Sequence, residues 1–235
     1  MRIARFLAAA GVASRRAAEA MIAGGRVRLN GAVVQHPATF VVPDDVVQVD
    51  GRAVDEPGRT RLWRYHKPPG LVTTHSDPQG RPTVFGSLPT GLPRVISVGR
   101  LDLASEGLLL LTNDGALARR LELPATGWKR RYRARVHGAV DERALAALAR
   151  GIRIGEISYG PIEAAVDARK GTNSWLSLSL AEGRNREVRR VLAHLGLSVT
   201  RLIRVAYGPF QLGQLPRGEV REVPAKVLGE QLGKG

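Results

Sequence analysis

The stretch Val98-Gly99-Arg100-Leu101-Asp102-Leu103-Ala104-Ser105-Glu106-Gly107, running on into Leu108-Leu109-Leu110-Leu111-Thr112-Asn113-Asp114-Gly115, decides how the rest of the chain is read. The apolar run Val95-Ile96-Ser97-Val98 predicts a strand that delivers the chain to this point. Leu108 to Leu111 predicts a second strand, buried on both faces. Between them lies a loop with glycine at each end and one carboxylate, Asp102, flanked by Leu101 and Leu103. A charged carboxylate among apolar neighbours needs a cation or a hydrogen-bond donor. Loops held between rigid strands are also where reactive groups collect. Two readings stay open on these residues alone: Asp102 caps a turn while Arg100 faces solvent, or Asp102 is a reactive carboxylate.

The chain of 235 residues carries 36 Lys and Arg against 21 Asp and Glu, a formal charge of +15. That excess favours a polyanionic partner. The absence of cysteine excludes disulfides, Cys-type zinc sites and thiol nucleophiles. His66, His75 and the neighbouring acid lack the spacing of a ligand pair, so no metal is expected. No apolar run approaches the length of a membrane span, so no membrane partner is expected. The Arg- and Ala-rich first eighteen residues run directly into a patterned helix pair, so they read as folded structure and the protein as cytoplasmic.

In chain order, Ile3, Phe6, Leu7 and Ala10 share one helical face, which Gly11 ends. Ser14 caps a second helix reaching about Ala23, with Ala17, Ala18, Met21 and Ile22 as its buried stripe. Arg26 to Val34 alternates around an Asn30-Gly31 hairpin turn, and a further strand is expected near Val46–Val49. Residues 52–61, polar and with Pro57-Gly58, read as a linker. Leu62 to His66 opens a larger domain as a strand that Lys67-Pro68-Pro69-Gly70 breaks.

A helix from Ala116 to Leu123 is capped by Asn113 or Asp114 and closed by Pro124. The next strand puts Tyr132, Ala134 and Val136 on one side, with Arg131, Arg133 and Arg135 on the other. Asp141 caps another helix, Lys170–Asn173 forms a hairpin tip, and Ser174 to Leu180 alternates as an antiparallel strand. Beyond Glu182-Gly183-Arg184-Asn185 a helix buries Val188, Val191, Leu192 and Leu195. At about 100° per residue, Arg186 and Arg190 lie opposite that stripe and Arg189 and Asn185 on its border. A border cation can reach an inward site, which makes Arg189 the expected ion-pair partner of Asp102. A last strand from Ser198 to Gly208 and a short closing helix from Pro224 to Leu232 follow, with 233–235 a frayed tail.

Gly99-Arg100-Leu101-Asp102 followed by Glu106 to Gly115 resembles the catalytic signature of the small-ribosomal-subunit type of pseudouridine synthases. Arg5-Phe6-Leu7, Gly11 to Glu19 and Gly25 to Gly31 resemble the S4 RNA-binding domain. The resemblance implies an α+β protein: an S4-like module over 1–51, the linker 52–61, and a synthase domain over 62–232. That domain would be a mixed, mainly antiparallel sheet flanked by helices. The resemblance also implies Asp102 as the essential residue, with Tyr132 from a second motif. Arg189 lies in Glu182 to Arg190, which resembles a third motif whose late basic residue pairs with the catalytic Asp.

The reaction so implied breaks the uridine N1–C1′ bond, turns the base and rejoins it through C5, without a cofactor. Asp102 would attack the sugar, attack the base or remove a sugar proton; Tyr132 would stack on the base or accept a proton. Arg15, Arg16, Arg26 and Arg28 in the first module, and Arg100, Arg131, Arg184 and Asn185 in the second, would hold RNA. The Gly183–Arg190 segment resembles the members acting on large-subunit (23S) ribosomal RNA, and a monomer is expected. The alternatives are a non-catalytic S4-type RNA-binding or ribosome-assembly protein, and the same enzyme acting on small-subunit rRNA.

Overall fold

The computed structural model of the protein describes residues 1–123 and 126–233, so the expected roles of Pro124 and of Lys234-Gly235 lie outside the described residues. Two units divide the chain: Met1–Arg61 with Gly91–Ile96 and Thr112–Leu117, and Leu62–Thr90 with Ser97–Leu111 and Ala118–Gly235.

In the first unit, α1 (Ile3–Ala9) and α2 (Arg15–Ala23) precede β1 (Val27–Leu29), β2 (Ala32–Val33), β3 (Val47–Val49) and β4 (Arg52–Ala53). The strands form one antiparallel sheet in the order β2-β1-β3-β4. Ser14 Oγ accepts from Ala17 N at the start of α2, satisfying one of the N–H groups a helix start leaves open. Asn30 and Gly31 both hold positive φ, as a two-residue hairpin requires. Asn30 also ties its turn down, accepting from Val46 N and donating to Asp45. Ile3, Leu7, Ala18, Ile22, Val27 and Val47 fill the core.

Two expectations are corrected here. Ala17 is exposed and Met21 only half-buried, because this short helix buries a stripe of Ala18 and Ile22 alone. The expected linker begins as structure, since Arg52 and Ala53 pair with β3. Its end is also fastened: Thr60 Oγ1 donates to Asp114, Arg61 N to Asn113 Oδ1, and Asn113 Nδ2 to Arg59 O.

The second unit is built on a nine-stranded sheet, though Ile96 and Thr112 at two strand ends and the helical residues 115–117 fall in the first unit. In chain order come β5 (Leu62–Lys67), β6 (Ile96–Val98), β7 (Glu106–Thr112), α3 (Gly115–Glu122), β8 (Arg130–His137) and α4 (Glu142–Ala147). A two-stranded ribbon, β9 (Ile152–Ile154) and β10 (Ile157–Tyr159), follows. Then come β11 (Ile162–Lys170), β12 (Asn173–Leu180), α5 (Glu187–His194), β13 (Ser198–Tyr207), β14 (Phe210–Gln211), β15 (Val220–Glu222) and α6 (Ala225–Leu232). The sheet order is β11-β12-β8-β13-β7-β5-β15, with β14 on β13 and β6 on β7.

The long pairings β11–β12, β12–β8 and β8–β13 are antiparallel, and β13 meets β7 in parallel at Ile203↔Glu106 and Arg204↔Gly107. Leu108 to Leu111 are all fully buried, as expected of a strand covered on both faces. One face of β8, β12 and β13 presents Ala134, Val136, Leu176, Leu178 and Leu202 to Val191 and Leu192 of α5. Asp141 caps α4 through Arg143 N and Ala144 N, and Asp114 rather than Asn113 caps α3. Among the described residues no helix is long and apolar enough to cross a membrane.

Candidate active site

The loop between β6 and β7 carries Asp102, and its backbone is held from several directions. Gly99 turns the chain at φ +66° and donates its N–H to Glu122 Oε1 at 2.7 Å. Every carbonyl from Arg100 to Ser105 then accepts a hydrogen bond. Arg204 Nη1 serves Arg100, and Thr73 Oγ1 serves Leu101 at 2.9 Å. Lys67 Nζ serves Asp102 at 3.2 Å and Ser105 at 2.9 Å. Gly70 N serves Leu103 at 2.8 Å, and Arg189 Nη2 serves Ala104 at 3.1 Å. Against this fixed backbone the half-buried Asp102 carboxylate takes no hydrogen bond among the described residues. It therefore caps no turn; the turn closes through the backbone, Ser105 N to Asp102 O at 3.0 Å.

Asp102 lies between two hollows. One, of about 110 Å³, is lined by Asp102, Arg100, Tyr132, Glu187, Leu202 and Arg204 among others. The other, about 390 Å³, has Thr73, Thr74, Asp77, Arg100 and Arg186 around the same carboxylate. Tyr132 reaches the first hollow because alternation along β8 turns it inward with Ala134 and Val136. Arg131 points out on the other face of β8 and lines neither hollow.

Arg189 departs from its expected partnership. Its guanidinium lies on the inward border of α5, but it binds Ala104 O and Val199 O, and no carboxylate lies within 4 Å among the described residues. Helical periodicity gave its direction; the groups it meets first are backbone carbonyls. Burial chiefly lowers its pKa, the Arg186 charge adds to that, and the Asp102 charge opposes. Arg186 is corrected too. It lies outside α5 in a left-handed conformation, φ +52°, so helical spacing does not govern it, and it lines both hollows.

Three residues of the site were not singled out from the sequence. Lys67 is wholly buried at the end of β5. Burial drives its pKa down to about 8, the Asp102 and Glu106 charges push back, and Arg204 lowers it further. Glu187, 97% buried, begins α5, accepts from Arg184 N at 2.8 Å and lines the first hollow. Burial raises its pKa. Arg204, 3% exposed, donates to Leu108 O at 2.8 Å as well as to Arg100 O. Its sequence signal was its phase: Leu202, Arg204 and Ala206 alternate on the buried side of β13.

The other expected RNA contacts divide. Arg100 and Arg184 line the first hollow, Arg184 also binding Glu182, whereas Asn185 accepts from Arg190 and lines neither. In the first unit Arg26 is bound by Asp50 and Arg28 donates to Gly31 O. Arg15 and Arg16 are exposed and without hydrogen bond or ion pair among the described residues.

Comparison with known proteins then bears on this geometry. The model of the family described as RNA pseudouridylate synthase matches residues 61–194, and that of the S4 domain matches residues 1–47. The chain is 45% identical over 231 residues to an uncharacterized RNA pseudouridine synthase of Rickettsia prowazekii, covering 98% of this chain and 97% of that one. Ribosomal large subunit pseudouridine synthase B of Haemophilus influenzae is 42% identical over 230 residues, 94% of this chain and 64% of that longer protein. A crystal structure of a pseudouridylate synthase matches with a TM-score of 0.68 at 27% identity, over 99% of this chain and all of that one.

Proposed function

The chain belongs to the RNA pseudouridylate synthase family, and on that premise we propose that it converts a uridine of large-subunit (23S) ribosomal RNA to pseudouridine at Asp102. One observation carries the site: a carboxylate free of hydrogen bonds, on a backbone fixed at every carbonyl, opens into a hollow that Tyr132 shares. The Haemophilus relative, named for the large ribosomal subunit, supports the substrate class.

The target base leaves its stack to enter the hollow. Asp102 then attacks the sugar, attacks the base or takes a sugar proton. Tyr132 stacks on the base or accepts a proton. Arg189 positions Asp102 through Ala104 O. Arg100 and Arg184 grip RNA at the rim, and Arg15 and Arg16 grip it from the S4 module, whose sheet takes in Arg52 and Ala53, ahead of the synthase domain, 62–232. The enzyme works as a cytoplasmic monomer without a cofactor.

The test is a pseudouridine map of total ribosomal RNA from cells with and without the gene. One 23S uridine should lose its modification and regain it with wild type but not with Asp102→Asn. Restoration by Asp102→Asn would remove Asp102 from catalysis. A lost site in small-subunit rRNA would move the substrate, and no lost site would leave the protein as an RNA-binding factor.

A further inference from the structure

Arg204 is the buried cation that the site, as described so far, leaves without a task. The residue is 3% exposed, and no carboxylate lies within 4 Å of its guanidinium among the described residues. Nε and Nη1 are committed to Leu108 O and Arg100 O, while Nη2 is buried with no partner. A buried charge left without a counterion is costly. This one lines the same hollow as Asp102 and Tyr132. Lys67, buried behind the Asp102 loop, lines neither hollow and points at the carbonyls of Pro68, Asp102 and Ser105. Of the other cations lining the hollow, half-buried Arg130 is committed to Ala181 O and the Tyr207 hydroxyl, and Arg100, Arg184 and Arg186 are exposed, so water screens them.

We infer that Arg204 is a further catalytic residue, whose Nη2 donates to a uracil carbonyl oxygen and holds the negative charge that the base acquires as it is exchanged. The inference rests on the hollow at Asp102 being where the base is exchanged. Each route open to Asp102 puts an electron pair on the base. If Asp102 attacks C1′ or removes a proton from C2′, the N1–C1′ bond breaks with its pair on N1, delocalised onto the carbonyl oxygens. If Asp102 adds to C6, the pair moves to C5 and O4, and the N1–C1′ bond then breaks with its own pair on N1. The pair finally forms the C5–C1′ bond, C5 gives up its proton and N1 takes one up. Asp102 departs as the carboxylate, or returns its proton to C2′. Uridine is neutral at the start, so the hydrogen bond strengthens as charge develops, and a donor out of water acts most strongly on such charge.

The experiment measures single-turnover consumption of the N1-linked nucleoside in target RNA carrying either uridine or 5-fluorouridine at the modified position. Fluorine at C5 stabilises an anionic base without help from the protein. Arg204→Gln should lose about 10²- to 10³-fold on uridine, bind RNA within a few fold of wild type, and lose clearly less on 5-fluorouridine. Both substrates are read on one preparation, so the folded fraction cancels from their ratio. Should the Gln variant not fold, the same ratio is read on Arg204→Lys, which keeps the charge but not the planar fork. Equal losses on the two substrates, or a loss confined to RNA affinity, would overturn the inference. Asp102→Asn, run alongside, must be inactive on both; turnover there would overturn the site itself, whatever Arg204 does.

Discussion

Replacing Gly107 by alanine tests how closely two paired strands of the larger unit approach. Gly107 sits at φ +107° in β7, opposite Arg204 of β13. A Cβ built there falls 2.3 Å from Arg204 O and 2.7 Å from Arg204 N. Both are backbone atoms of a paired strand, so neither can swing aside. The backbone conformation alone costs a side chain about 1–3 kcal/mol, and forcing apart a packed contact adds about 1–3 kcal/mol. The total, about 2–6 kcal/mol, lowers Tm by on the order of 10 °C in a chain of this size. The comparison is Gly171→Ala at the β11–β12 hairpin tip. There φ is +60° and nothing lies within 4 Å, so only the left-handed penalty of about 1–2 kcal/mol applies. Thermal and denaturant midpoints of both variants are measured beside wild type. If Gly107→Ala proved no more costly than Gly171→Ala, β7 and β13 would not approach as described. The reasoning about Arg204, whose backbone forms that contact, would fall with it.

Lys67, with its pKa at about 8 against 10.5 for free lysine, releases its proton in the folded state before the unfolded chain does. Between those values the unfolded state holds more protons, so this group makes stability rise with pH. Denaturant titrations at pH 7.5 and 9.5 should show wild type gaining on Lys67→Met at the higher pH, and a fixed difference would refute this. Glu187 has the opposite sign: its pKa is raised by burial, so its contribution falls as pH rises above the unfolded carboxylate value. Glu187→Gln, which keeps an oxygen for Arg184 N, should therefore lose less stability than wild type between pH 4 and pH 7; parallel curves would contradict it. Removing Arg15 and Arg16 together should lower the slope of log K against log salt for RNA binding by roughly 1–2, and an unchanged slope would take α2 out of the RNA contact.

What the sequence revealed was local. The Leu108–Leu111 run, the Asn30-Gly31 turn and the caps at Ser14, Asp114 and Asp141 depend on neighbours within a few residues, and each forms. Arg189 shows where such reasoning stops. Periodicity aims it inward, but its partner Ala104 O is supplied by a loop 85 positions away. Arg186 was misplaced because α5 starts at Glu187, two residues later than a helical projection from Asn185 assumes. Lys67 read as the head of a Lys-Pro-Pro-Gly that breaks the strand and resembles the family's first motif; that four carbonyls converge on its amine is a property of tertiary packing. The parallel meeting of β7 with β13 likewise joins segments nearly a hundred positions apart and leaves no mark in either.

The clamp on the Asp102 loop also sets when the enzyme can begin to work. Its charged holders come from β5, α5 and β13, and β13 ends at Tyr207 in a chain of 235. Synthesis proceeds from the N-terminus, and early segments fold first. The S4-type module thus emerges, able to meet RNA, long before the loop has Arg189 and Arg204 to hold it. On the function proposed above, a nascent chain would engage RNA before it has a fixed carboxylate to act with, so birth order would separate capture from chemistry.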